Sequence, residues 1–121
     1  MPKTILIVED NTRNMKMFDA LLQAAGYSVV QAVDGHSGFN AAKEYRPDLI
    51  IMDIQLPDIS GLEVTAMIKE LDDLSHIPII AVTAFAMKGD REKMLDGGCD
   101  DYIAKPITVV TFLETVAKYL S

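Results

Sequence analysis

Leu49-Ile50-Ile51-Met52-Asp53-Ile54-Gln55-Leu56-Pro57 decides the fold. An apolar run from Leu49 to Met52 meets an acid at Asp53, and a proline follows shortly after. The run is too short for a helix, and it is continuous rather than alternating, as in a strand buried on both faces. The same design recurs on either side. Ile5–Val8 precedes Glu9-Asp10, Ile79–Val82 precedes Thr83, and Tyr102–Ala104 precedes Lys105-Pro106. A fifth run, Val29–Val33, precedes Asp34-Gly35.

Longer amphipathic stretches fill the gaps. The spacing predicts a first helix over Asn11–Ala25 with Met17, Leu21 and Ala25 toward the core, stopped by Gly26. A second opens at Asp34-Gly35 and reaches Tyr45 before Pro47. A third covers Gly61–Leu71, a fourth Phe85–Leu95 before Gly97-Gly98, and a fifth Thr108–Leu120, with Val109, Phe112, Leu113, Val116 and Leu120 buried. Strands alternating with helices call for a doubly wound α/β fold, because parallel strands need crossover connections. Those crossovers are right-handed in nearly all cases. The expected architecture is a (βα)5 fold, a five-stranded parallel sheet in the flavodoxin-like order 2-1-3-4-5. Its ligand site belongs at the carboxyl ends of strands 1 and 3, where the strand order reverses.

The 121 residues are 50% hydrophobic and 24% charged, the mix of one globular domain, expected to span 1–121 without an attached output domain. No apolar run approaches the ~18 residues of a membrane span. The charge of −7 disfavours nucleic acid and anionic membranes as partners. A single cysteine, Cys99, cannot form an internal disulfide and suits a cytoplasmic setting.

Chemistry concentrates one step past the strands. In a parallel sheet Glu9, Asp10, Asp53, Thr83 and Lys105 fall on one edge, with the three acids converging at the switch point. Two carboxylates ~4 Å apart repel by about 4 kcal/mol at an effective dielectric near 20. A divalent cation offsets that, and an open set of carboxylate, carbonyl and water oxygens suits Mg²⁺. With Lys105 opposite and the Thr83 hydroxyl nearby, such a site can manage a phosphoryl group with Asp53 as nucleophile. Taken singly, each residue has a plainer role: Asp as a cap or turn former, Thr83 as an N-cap, Lys105-Pro106 as a loop. Their shared position, each one step past a strand, argues for the site.

As an ordered set these motifs resemble the receiver domain of two-component response regulators: Ile5-Leu6-Ile7-Val8-Glu9-Asp10-Asn11, Leu49 through Pro57, Ile80-Ala81-Val82-Thr83-Ala84, and Tyr102-Ile103-Ala104-Lys105-Pro106. The resemblance implies that Asp53 accepts phosphate from a phosphohistidine. It implies that Asp10, Asp53 and the backbone carbonyl of Gln55 hold Mg²⁺, with Glu9 acting through water. Thr83, the Ala84 amide and Lys105 would bind the phosphoryl group, and Thr83 with Tyr102 would form the switch. Taken alone, Tyr102 also fits as a plain buried strand aromatic. The Lys105-Pro106 bond is cis in typical members. Asn14–Phe18, Asp58–Val64, Phe85–Asp90 and Gly97-Gly98-Cys99 further resemble stand-alone regulators of alphaproteobacterial cell division, which implies a sensor histidine kinase or histidine phosphotransferase as partner. A monomer is expected when the protein is unphosphorylated.

Met15 and Leu22 lie on a flank of the predicted first helix. There they either cover its edge or form a docking surface for the domain presenting phosphohistidine. Gln55 and Phe85, two residues beyond Asp53 and Thr83, occupy positions that influence hydrolysis in that family. Phe85 cannot orient a water by hydrogen bonding, so self-dephosphorylation is expected to be slow. His36 and His76 lack partners at metal-ligand spacing and read as surface residues. Cys99 lacks a sequence-adjacent base. The competing functions are a phosphorelay intermediate using the same site and a Mg²⁺-dependent phosphohydrolase with an Asp53 nucleophile. Against the hydrolase, Ile54-Gln55 places no acid two residues beyond Asp53, and no cap-sized insertion is present. Glu9–Asn14 contains no glycine, which disfavours nucleotide binding.

Overall fold

The computed structural model describes residues 2–84 and 88–120. Five strands, β1 (Thr4–Val8), β2 (Ser28–Ala32), β3 (Leu49–Asp53), β4 (Ile79–Thr83) and β5 (Asp101–Ala104), alternate with five helices. The helices are α1 (Thr12–Ala24), α2 (Gly35–Tyr45), α3 (Gly61–Lys69), α4 (Lys88–Asp96) and α5 (Val109–Leu120). The sheet is parallel throughout, in the order β2-β1-β3-β4-β5. The expected doubly wound fold is therefore the observed one. The Phe85 start expected for the fourth helix lies outside the described residues.

Continuous apolar strands follow from burial on both faces. Leu6, Val8, Ile50, Met52, Ile79 and Ala81 point to one side and pack with Val64, Ile68 and Met94. Ile5, Ile7, Leu49, Ile51, Ile80 and Val82 point to the other and pack with Phe18, Phe112 and Val116. The period of two along each strand thus divides one sheet between two cores. Phe18 of α1 stacks on Phe112 of α5 with ring centroids 5.2 Å apart, which joins the two helices over the second core.

The first helix is rotated relative to the sequence expectation. Met15, Phe18 and Leu22 form its buried stripe, whereas Met17 is 38% exposed, Leu21 half-buried and Ala25 exposed. Met15 and Leu22 are therefore core residues and cannot form a docking surface. Both stripes obey helical spacing, so periodicity alone does not choose between them. Side-chain volume does: the stripe carrying Phe18 fills the space over β1 and β3, and Asn11 fixes the entry by accepting from the Asn14 amide at 3.0 Å. Val109 in α5 is likewise exposed, at 48%, leaving Phe112 and Val116 as the buried positions.

Candidate functional site

The site is built where β1, β3, β4 and β5 end. Asp53 and Thr83 are the last residues of their strands, which run one position further than the apolar runs Leu49–Met52 and Ile79–Val82, and both are buried. Register explains the convergence. Val8 pairs with Met52, Asp53 with Val82, and Thr83 with Ala104, so the next residues along the chain share one edge. The Lys105 amide donates to the Thr83 carbonyl at 2.8 Å, carrying β5 past its last ladder position and bringing Lys105 to the cleft. The Lys105-Pro106 peptide bond is cis, as the resemblance implies.

Glu9, Asp10 and Asp53 each offer an oxygen lying within 4.8 Å of the others; Glu9 and Asp53 are buried and Asp10 is open to solvent. Lys105 Nζ stands 3.4 Å from Glu9 Oε1 and 3.7 Å from Asp53 Oδ2. The Gln55 amide donates to Asp53 Oδ1 at 3.1 Å, while the Gln55 side chain is exposed. Thr83 is buried at the adjoining strand end, Ala84 beyond it is exposed, and Tyr102 is half-buried against the first core.

Crowding of two buried acids has an electrostatic consequence. Burial pushes the Asp53 carboxyl up to about 7, and Glu9 adds to the rise as hydrogen-bond acceptor and like charge; the Gln55 amide and Lys105 act the other way. Burial also works against the Glu9 anion, but hydrogen bonds from Asp53, the Asn11 amide and Lys105 hold it below the ordinary carboxylate range. Of the two acids, Asp53 is therefore the one that holds a proton more readily, and Glu9 the one favoured as the anion. A hard oxygen-ligated cation suits this donor set: three carboxylates, one facing solvent, with an ammonium across the cleft.

Several partners of the site have weak sequence signals. Asn14 Nδ2 donates to Glu9 Oε1 at 3.4 Å, and the Asn11 amide to Glu9 Oε2 at 3.2 Å. The asparagines adjoining Glu9-Asp10 were visible, but an Asn opening a helix reads first as a cap. Asp58 holds the loop after β3 to α2, a long-range contact that no local pattern announces. Phe85 lies outside the described residues. Cys99 is buried beside Thr65, their Sγ and Oγ1 3.8 Å apart, and burial raises its thiol pKa, so it is not an activated nucleophile. His36 and His76 are exposed.

Comparison with known proteins agrees with this geometry. The polar-differentiation response regulator DivK of Brucella anthropi is 57% identical over 120 residues, covering 99% of this chain and 98% of the relative. Its namesake in Brucella ovis is 54% identical with the same coverage. Among solved structures, the receiver domain of a Pseudomonas aeruginosa sensor histidine kinase, with magnesium coordinated in its active site cleft, aligns with a TM-score of 0.92 at 36% identity, covering 99% of this chain and 98% of that one. The chemotaxis protein CheY4 of Vibrio cholerae aligns at 0.93 with 26% identity, covering 98% and 99%. The response regulator receiver domain model matches residues 5–117, and the chain belongs to that family.

Proposed function

We propose that this protein is a phosphorylation switch in which Asp53 takes a phosphoryl group from a phosphohistidine and the changed surface then binds a partner protein. The observation that carries this reading is the convergence of Glu9, Asp10 and Asp53 opposite Lys105 at the strand ends. An Asp53 oxygen attacks phosphorus, the bond from phosphorus to the donor nitrogen breaks, and an acyl phosphate forms on Asp53. Lys105 pairs with the transferred oxygens, and the Thr83 hydroxyl and Ala84 amide donate to them. Glu9, Asp10, Asp53 and the backbone carbonyl of Gln55 would hold Mg²⁺, which supplies positive charge against the phosphoryl oxygens and replaces the proton of the acid pair.

The output is local. Drawing the Thr83 hydroxyl toward the phosphoryl group opens space beside β5 for the Tyr102 ring, and the surface of α4, β5 and α5 changes with it. Phosphate supplies the differential contacts that shift the population. A sensor histidine kinase or histidine phosphotransferase is the fitting donor and partner, in a cytoplasmic role in cell-division control, alongside the polar differentiation named for the Brucella relatives. Incubation with a small phosphodonor and Mg²⁺ tests the reading. One stable adduct per chain supports it, while repeated turnover of a small phosphoester would mark a hydrolase instead.

A further inference from the structure

We propose that Asp58 is a positioning residue for the acidic cleft, tying the loop after Asp53 to the start of α2 so that Gln55 stays seated against Asp53. This rests on the reading of the cleft as a Mg²⁺ site and extends it to a residue outside the cluster.

The loop 54–60 is pinned at both ends. The Ile54 amide donates to the Val82 carbonyl at 3.2 Å and the Gly61 amide to the Ile54 carbonyl at 2.9 Å. A Cβ at Gly61 would lie 2.1 Å from the Asp53 carbonyl oxygen, so the chain folds back directly onto the phosphoacceptor. Between these anchors, the crown is held by Asp58. Its Oδ1 accepts from the Gly35 amide at 2.7 Å and its Oδ2 from the His36 amide at 2.9 Å.

These two amides begin α2, which already has its own cap. Asp34 accepts from the Ser37 amide at 2.8 Å and Ser37 returns the bond, leaving the first two helix amides for a second acceptor. Gly35 makes the approach possible: a Cβ there would lie 2.4 Å from Ile59 Cγ1 and 3.1 Å from Asp58 Oδ1. Burial works against the Asp58 anion, but donation from Gly35, His36 and Ile59 brings its pKa down to about 2, so the carboxylate stays charged across the working range. The His36 ring adds a contact at 3.7 Å.

The tether spans the cleft. β2 leads into α2, and β1 runs beside β2, with the Glu9 amide donating to the Ala32 carbonyl at 3.0 Å. Asp58 thus fixes the loop carrying Gln55 relative to the strand end carrying Glu9 and Asp10. Groups that orient metal ligands from outside typically change affinity about 10- to 100-fold when removed.

The test compares wild type, Asp58→Ala, Asp58→Asn and Asp34→Ala by hydrogen exchange at the Gln55 amide without metal and by Mg²⁺ titration followed by NMR. Asp34→Ala removes a cap from the same helix without touching the loop. We expect Asp58→Ala to speed Gln55 exchange and weaken Mg²⁺ binding by about tenfold. Asp58→Asn, which keeps one acceptor, falls between, and Asp34→Ala lowers the melting temperature with both readouts unchanged. Asp58→Ala behaving like Asp34→Ala in both readouts would overturn the tether. If Asp58→Ala does not fold, wild-type values for Asp58→Asn would do the same. Wild type failing to bind Mg²⁺ overturns the metal reading instead, and Gln55 exchange then decides the tether alone.

Discussion

Lys105 and Glu9 form an ion pair at 3.4 Å in which the carboxylate is 1% exposed and the ammonium side chain 24% exposed. Their chain neighbours belong to strands at different positions in the sheet, so the pair closes the cleft across its width. Asp53 lies within the same reach of Lys105, at 3.7 Å. One ammonium therefore serves two buried acids, and its pull on Asp53 is outweighed by burial and by the neighbouring Glu9, which raise the Asp53 pKa.

Lys105→Ala should expose the competition between that ammonium and a cation. Truncating one partner of a buried pair leaves an uncompensated charge and typically costs about 3–5 kcal/mol, here less because Lys105 is partly solvated. Metal-free Lys105→Ala is expected to melt several degrees lower than wild type at neutral pH. Its Mg²⁺ affinity should rise, since the cation no longer meets a positive charge across the cleft. Calorimetric titration checks this, and weaker Mg²⁺ binding in the variant would contradict it.

Protonation of Asp53 makes stability depend on pH. Burial and Glu9 push Asp53 up to about 7 in the folded metal-free protein, against 3.8 for an unperturbed aspartate. A raised folded pKa contributes stability that is fully present below the unfolded value and lost as pH rises through about 7. Glu9, held low, works oppositely: its contribution is present above the ordinary value and lost as pH falls through the lowered one. Between about pH 5 and pH 8 the Asp53 effect governs. Urea unfolding without metal should show stability falling across that window by up to ~3 kcal/mol, most of it before pH 7. Asp53→Asn should flatten the profile and be more stable than wild type at pH 8, because it removes a buried charge. A wild-type profile that is flat or rises would refute the assignment.

Leu22→Ala separates the core role of α1 from the docking role that the sequence left open. Leu22 is fully buried in the core shared with Phe18 and Phe112. Truncation of such a leucine costs about 2–5 kcal/mol. Thermal unfolding should register that loss, whereas a surface contact residue would leave the melting temperature near wild type.

Fold and cleft were legible for one reason. Buried parallel strands are short apolar runs, and a parallel sheet delivers whatever follows them to one edge, so Glu9, Asp10, Asp53, Thr83 and Lys105 could be gathered from order alone. The rotation of α1 was not legible from spacing, because two apolar stripes share its circumference and only the volume of Phe18 against Phe112 selects between them. Asp58 was hidden for a different reason. Its partners, Gly35 and His36, are distant in sequence, and the bonds go to backbone amides that carry no residue signature.

Trapping the phosphorylated product shows whether Asp53 is the residue that accepts phosphate. Protein treated with a small phosphodonor and Mg²⁺ is reduced with borohydride, which converts an aspartyl phosphate to homoserine, and its peptides are sequenced by mass spectrometry. Homoserine is expected at position 53 alone, dependent on Mg²⁺ and abolished in Asp53→Asn. Homoserine at position 10 in the wild type, or none anywhere under conditions that phosphorylate a known receiver, would contradict that assignment.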